Sequence, residues 1–300
     1  MTLPTFITVG AEKCGTTALH AQLNNHPQIF MSNPKEPSYF ASSDQKFINQ
    51  EMRDLNHNYI NNLEQYKSIF SEVNDEIAIG ESSPCYLYSD SAAKMIKSVI
   101  PDVKIIIILR NPVLRAYSQF VFNQMRGWEA RNIEFQSAID IETSRIKNNS
   151  MWAFHYLARG MYFRQVEKYL EIFGDSNVKV ILYDDYVERP DKTLDEIHSF
   201  IGVEKFNYTN SAEKHNVTRL SRVKFIETLI NNQNKLALII KKIIPNSVKG
   251  KISDIIQLLN STKPKADPEY LLALEQHFCE DIKLLSTIID KSPLIWLSKK

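Results

Sequence analysis

Apolar and polar positions along the chain fall into two recurring textures. Short, dense apolar runs occur at residues 5–9, 28–31, 77–80, 103–109 and 178–183. Between them lie stretches with apolar residues three or four apart, at about 16–25, 59–71, 90–99, 112–126, 160–173 and 191–201. The first texture predicts strands and the second predicts amphipathic helices. Strands alternating with helices imply crossover connections, and hence a mostly parallel sheet covered on both faces. In Val103-Lys104-Ile105-Ile106-Ile107-Ile108-Leu109 the β-branched residues do not alternate with polar ones, which predicts a central strand. Ligands of such sheets gather beyond the carboxyl ends of the strands. Gly10, Glu81, Arg110 and Asp184 fall at those ends.

From about residue 204 the texture changes. A polar stretch, "NYTNSAEKHNVTRLSR", gives way to helical patterns at 221–244, 248–260 and 268–290. The expectation is a single domain over 1–300, with an α/β core over 1–205 and a basic loop plus helical C-terminal subregion over 206–300. With 36 Lys+Arg against 35 Asp+Glu, whole-molecule steering toward nucleic acid is not indicated, so any anion affinity must be local. Cys14, Cys85 and Cys279 include no close pair, which argues against a disulfide framework and against a zinc site. No signal-peptide pattern precedes the first strand, and no uncharged apolar run reaches the roughly 18 residues needed to span a bilayer. A soluble, cytoplasmic protein is therefore expected.

The segment "ITVGAEKCGTTALHAQL", residues 7–23, nearly satisfies the P-loop pattern of glycine, four residues, glycine, lysine and a hydroxyl residue. Gly10, Gly15 and Thr17 are in place, but the lysine slot holds Thr16 and a lysine stands earlier, at Lys13. Glycines at these positions let backbone N–H groups face inward, and a helix starting near Thr16 adds its positive dipole end. The result is an anion cradle in an α/β, P-loop-like three-layer sandwich. With Lys13 inside the loop, its ammonium should lie near the bridging oxygen of a ligand shorter than a triphosphate. Two other readings stand beside this one. Lys13 could project into solvent, or the loop could serve a triphosphate-cleaving enzyme with Asp184 as its metal-holding carboxylate.

A second anion signal is "ILRNPVLRAYSQF", residues 108–120. Arg110 leaves the central strand and Pro112 suits a first helical position. Ser118, about two turns into that helix, can face back toward Arg110. A guanidinium fork with a hydroxyl suits a terminal phosphate monoester. The plain alternatives are a strand-end ion pair for Arg110 and a helix-surface serine for Ser118.

Taken together, "KCGTTAL" and "LRNPVLRAYSQF" resemble the two cofactor-binding motifs of sulfotransferases that use 3′-phosphoadenosine 5′-phosphosulfate (PAPS). The resemblance is closest to the carbohydrate branch, which includes heparan-sulfate enzymes and bacterial relatives. "HPQIFMSNPKEPSYF", "GESSPCYLY", "RGMYFRQVEKYLEIFG", "VILYDDYVERPDKTLDEIHSFIGV" and "FCEDIKLLSTIID" followed by "WL" continue it in order, so that it covers about 1–205 and 265–297. It implies that Lys13, Cys14, Gly15, Thr16 and Thr17 grip the 5′-phosphate, that Arg110 and Ser118 take the 3′-phosphate, and that no metal is needed. It also implies that Glu36, in "SNPKEPSYF", takes the proton from the acceptor, while Lys13 neutralises charge on the departing phosphate oxygen.

Departures from the branch bear on the acceptor. Ser82 stands where heparan-sulfate enzymes typically carry a lysine, and Ser38 and Ala41 replace a histidine and an aspartate found in some of them. Heparan is therefore not the expected acceptor. Lys35, Glu36, Ser82 and Trp152 are the candidate acceptor contacts, with Trp128, His155 and Tyr156 as weaker ones, and core packing is the plain reading of Trp128, Trp152, His155 and Tyr156. In "EKHNVTRLSR" the resemblance implies a loop over the sulfate end of the cofactor, with Lys214 and Arg219 as candidates beside His215 and Arg222. A solvated basic connector is the plain reading of that segment. Residues 234–251 mix aliphatics with lysines and could touch a membrane surface, although a helix packed on the core is the simpler expectation. Cys14 lacks the arginine six residues on that a phosphatase-like nucleophile needs, since position 20 is His20. The activity implied is sulfuryl transfer to a hydroxyl, with an amine second, on a carbohydrate, glycolipid or other small molecule and without nucleic acid. A P-loop kinase-like enzyme and a non-catalytic nucleotide-binding protein are the rivals.

Overall fold

The fold is given by a computed structural model, which describes residues 2–42, 44, 60–208 and 267–297. Five strands form one parallel sheet: β1 Phe6–Gly10, β2 Ile29–Met31, β3 Ala78–Ser82, β4 Lys104–Leu109 and β5 Val178–Leu182, in the order β2-β3-β1-β4-β5. All five predicted strands are present, each within a residue or two of its expected bounds. Ile105 through Leu109 are fully buried, as a strand covered on both faces requires. β1 and β3 approach closely enough that a side chain at Gly80 would strike the ring of Phe6, with its Cβ 2.2 Å from Cζ.

The chain leaves β1 toward one edge of the sheet and leaves β4 toward the other. The connections therefore diverge between β1 and β4, opening a crevice at their carboxyl ends where ligands of doubly wound sheets bind. The loop after Gly10 and Arg110 after Leu109 flank that crevice.

Among the described residues the helices are α1 Thr16–Leu23, α2 Leu63–Ser68, α3 Ala92–Val99, α4 Pro112–Arg126, α5 Phe135–Asp140, α6 Glu142–Lys147, α7 Tyr162–Phe173, α8 Tyr183–Glu188, α9 Pro190–Ile201 and α10 Pro268–Leu285. Sequence periodicity predicted neither α5, α6 nor α8. α4 has the predicted bounds and clear local causes. The Asn111 side chain accepts from the N–H groups of Val113 and Leu114, Pro112 occupies the first turn, and Gly127 ends the helix at φ 74.

α10 belongs to the same core. Its buried Asp281 accepts from the first N–H groups of α7, at 2.7 Å from Tyr162 and 3.2 Å from Phe163. The following turn brings Trp296 to Asp184, with the indole N–H 2.8 Å from Oδ2. Asp184 is thus occupied as an acceptor at the strand end where a metal-holding carboxylate was one reading. Lys214, His215, Arg219 and Arg222, the helical patterns at 221–260 and the candidate membrane-surface stretch 234–251 lie outside the described residues.

The segment after α9 is fastened through histidines. His26 Nε2 lies 2.9 Å from the Glu204 carbonyl, and buried His198 pairs its Nε2 with the Tyr208 hydroxyl at 2.9 Å. Burial, then the neighbouring His26, pull the His198 pKa down to about 4, against a smaller opposing pull from Asp195. The neutral form is favoured in the folded state, so this contribution is full above the ordinary value of 6.5 and is lost as pH falls toward about 4. Chemical denaturation across that window should show stability falling with acid, and His198→Gln should flatten the fall by about 1–3 kcal/mol.

Candidate functional site

The loop 10–15 is set by two close approaches. A Cβ on Gly10 would lie 2.5 Å from Leu87, and one on Gly15 would lie 2.9 Å from the Tyr183 ring, where φ is also +89°. Gly15 is the N-cap of α1 and has no side chain to cover the helix end, so the first N–H groups of α1 face the crevice. Lys13 also has a left-handed backbone, at φ 64. Its ammonium stands 3.9 Å from the centroid of Phe122. Burial lowers the Lys13 pKa, Glu12 and Glu36 oppose that shift, and Arg110 and Arg115 add to it.

Behind the loop, Arg110 donates from Nη1 to the Lys13 carbonyl at 3.3 Å and lies 4.9 Å from the centre of the Tyr183 ring. The rest of the guanidinium fork makes no other hydrogen bond among the described residues. Cys14 points the other way. Its thiol is buried beside the Tyr162 hydroxyl at 3.8 Å and the Glu12 carbonyl at 3.5 Å, and burial raises its pKa to about 11. That environment suits a packed thiol, not a nucleophile.

Glu36 sits in the turn after β2, at φ 63, with its N–H bonded to the Ser82 carbonyl at 3.1 Å. Lys35 pairs directly with its carboxylate. A cavity of about 550 Å³ lies between this turn and the phosphate loop. The loop lines it with Glu12, Lys13, Gly15, Thr16 and Thr17, the turn with Glu36 and Ser38, and α4 with Ser118, Gln119, Phe122 and Arg126. Pro84, Cys85, Trp128, Trp152 and Ala153 complete the lining.

Seven residues predicted for the site thus converge on one cavity: Lys13, Gly15, Thr16, Thr17, Glu36, Ser118 and Trp152. Four others do not line it. Cys14 faces the core, Lys35 lies beside Glu36, and Arg110 stands behind the loop. Ser82 is buried, with its hydroxyl 3.1 Å from His20 Nδ1 on α1. Of the weaker aromatic candidates, Trp128 reaches the cavity. His155 pairs with the Tyr88 hydroxyl at 2.9 Å, and Tyr156 donates to Glu129 at 2.8 Å, both away from it.

Phe122 and Arg126 were missed, yet the signal was available. They follow Ser118 at four-residue steps, and so share its helix face. Glu12 was missed as well. Its carboxylate pairs with Arg159 at 2.5 Å, and that guanidinium lies 3.9 Å from the centroid of Trp152.

Fold and cavity together define an α/β protein with a P-loop-like anion cradle facing a carboxylate. The chain belongs to the sulfotransferase family, since the sulfotransferase domain model matches residues 3–253. It is 26% identical to a sulfotransferase of Alicyclobacillus acidocaldarius, whose crystal structure superposes with a TM-score of 0.75 over 99% of each chain. Mouse sulfotransferase SULT7A1, solved in complex with PAP, has a TM-score of 0.50 and 16% identity and shares the fold. Among curated proteins, the membrane-associated sulfotransferase kil1 of Dictyostelium discoideum is 22% identical over 69% of this chain. The human bifunctional heparan sulfate N-deacetylase/N-sulfotransferase 3 is 30% identical over 70% of it. These matches span 57% and 23% of those two relatives.

Gly15 gives a direct test of the loop. Gly15→Ala adds a methyl group against Tyr183 and places alanine at φ +89°, which should lower stability by about 1–3 kcal/mol in urea denaturation. Tyr183→Ala in the same chain should return part of that loss, making the pair non-additive.

Proposed function

We propose that this chain moves a sulfuryl group from PAPS to a hydroxyl, with an amine second, on a carbohydrate, glycolipid or other small acceptor by in-line displacement. The observation that carries this reading is the single cavity holding both a buried-side ammonium on a phosphate loop and the carboxylate of Glu36. The residues suit such a donor. The α1 N-terminus and the Thr16 and Thr17 hydroxyls offer donors to one phosphate, and Ser118 with the free part of the Arg110 fork offers them to a second. The donor supplies a sulfuryl group on a phosphate that can leave.

The chain's own residues do the rest. Glu36 takes the acceptor proton as the new oxygen–sulfur bond forms. Lys13 neutralises the phosphate oxygen as the old sulfur–oxygen bond breaks. A hydroxyl near neutral pH is a weak nucleophile, and a positioned base is worth roughly 10²–10⁴-fold. Lys214 and Arg219 remain the candidates for closing over the sulfate end. Trp152 and Trp128 offer flat apolar walls to a sugar ring or a lipid-linked one.

Several observations shape the acceptor and rival readings. The cavity presents Glu12 and Glu36 beside Lys13 and Arg126, a balanced set that does not favour a polyanion such as heparan. Asp184, the carboxylate of the phosphotransferase reading, accepts from the Trp296 indole and does not line the cavity. The three cysteines are free thiols, which supports a reducing, cytoplasmic site of action.

Incubation with labelled donor and glycan or lipid extracts, followed by mass spectrometry, should reveal an added sulfate. Lys13→Ala should lower kcat by about 10²–10³-fold. Glu36→Gln should lower it by about 10²–10⁴-fold while leaving affinity for adenosine 3′,5′-bisphosphate within about twofold. Magnesium-dependent ATP turnover would replace this reading with a kinase. Tight bisphosphate binding without transfer to any acceptor would replace it with a binding protein.

A further inference from the structure

Glu81 is a carboxylic acid with no exposure to solvent, at the end of β3, and the reaction described above makes no use of it. Its surroundings are built from hydroxyls. The Tyr66 hydroxyl donates to Oε1 at 3.1 Å and the Ser83 hydroxyl donates to Oε2 at 2.8 Å. Burial lifts the Glu81 pKa to about 7, while Ser83, Tyr86, Tyr66 and, more distantly, Lys35 pull it down.

The Ser83 hydroxyl and that of neighbouring Tyr86 face the turn that carries Glu36. The Ser83 oxygen accepts from the Ser38 backbone N–H at 3.1 Å, and the Tyr86 oxygen accepts from the Phe40 N–H at 3.3 Å. The turn needs such anchors. Glu36 and Ser38 both stand at positive φ, 63 and 56, which non-glycine residues adopt at a cost when the surroundings enforce it. A third anchor is the Glu36 N–H, bonded to the carbonyl of Ser82, the residue next to Glu81.

The chemistry of the carboxylate explains why an acid stands there. The ionised form, which prevails above about pH 7, only accepts, so each hydroxyl bonded to it must spend its proton on it. That leaves the hydroxyl oxygen as an acceptor for the backbone N–H on its other side. One buried charge thereby fixes the direction of a relay, Ser38 N–H to Ser83 hydroxyl to carboxylate, that grips the turn two residues beyond Glu36, while the Tyr86 hydroxyl grips it four residues beyond.

From this geometry we infer that Glu81 is a positioning residue for Glu36: through Ser83 it holds the 36–40 turn in the form that aims the Glu36 carboxylate into the cavity. The inference rests on the reading of Glu36 as base. It adds no step to the reaction and no contact with either substrate.

The test uses the full chain with Glu81→Gln, Ser83→Ala and the double variant Glu81→Gln/Glu36→Gln, assayed for sulfuryl transfer and for binding of adenosine 3′,5′-bisphosphate. Glu81→Gln keeps the shape but can donate from its amide, so its bond to Ser83 or to Tyr66 must reverse. Its kcat should fall by about 10–100-fold, as for other outer residues that orient a reacting group, with bisphosphate affinity within about twofold. Ser83→Ala, which keeps the buried acid and removes the relay, should fall in the same direction by less. In the double variant Glu81→Gln should add almost nothing to the loss caused by Glu36→Gln, because it acts through that residue. An unchanged kcat in both single variants would overturn the inference, as would losses that multiply in the double variant or a parallel drop in bisphosphate affinity. If Glu36→Gln alone keeps full turnover, the base reading fails instead, and the two failures are distinguishable.

Discussion

Withdrawing an ammonium group from water costs several kcal/mol even after the protein relaxes around it, and the phosphate loop is organised about one such group. Lys13 stands on a left-handed residue, so the backbone itself turns its side chain toward the cavity. Glu12 and Glu36 support its charge, and the Phe122 face offers a partial counter-charge. Burial still dominates and lowers its pKa. An anion at the loop would offset the same deficit, so anion binding there and the charge on Lys13 would be linked in one equilibrium. Gly15, with no Cβ to meet Tyr183, and Arg110, bonded to the Lys13 carbonyl, keep the ammonium where that linkage operates.

The dryness of the sheet dictates where chemistry can occur. Ile105 through Leu109 admit no polar side chain, so along β4 the functional group comes just past the carboxyl end, at Arg110. At three ends the polar residue is put to different use. After β1 it becomes an anion cradle. After β4, Arg110 braces that cradle from behind. After β5, Asp184 is committed to the Trp296 indole and fastens the C-terminal turn. A carboxylate at such an end is therefore not by itself a metal ligand, and its partner decides its role.

The sheet was legible in the sequence because an unbroken aliphatic run such as 103–109 has few other stable settings. The loop was legible because glycine spacing and a following helix leave few other conformations. Side-chain direction was harder to read. Ser82 lies next to Glu81 in the chain, but strand pleating turns successive residues to opposite faces, sending Ser82 to His20 and Glu81 to Ser83 and Tyr66. Cys14 lies between two residues that line the cavity, yet a loop imposes no fixed period and its thiol enters the core. Helix α4 was the opposite case. Its period is regular, so Ser118 carried the signal for both missed residues, Phe122 and Arg126. The pairing of Glu12 with Arg159 joins residues 147 apart, and no local pattern announces it.

That long-range pair ties the loop to the aromatic wall of the cavity. Arg159 is buried, so its charge must be matched where it stands. Glu12 matches it from the phosphate loop, and the guanidinium plane lies against Trp152. Removing the Glu12 carboxylate would leave Arg159 with no ionic partner among the described residues, and would loosen one of the contacts on the indole. Loop and wall therefore cannot shift independently: a ligand that draws on Glu12 is felt at Trp152 through one rigid plane. Lysine at position 159 would keep the charge but lose the flat surface that stacks. The coupling thus depends on the shape of the guanidinium as well as on its sign.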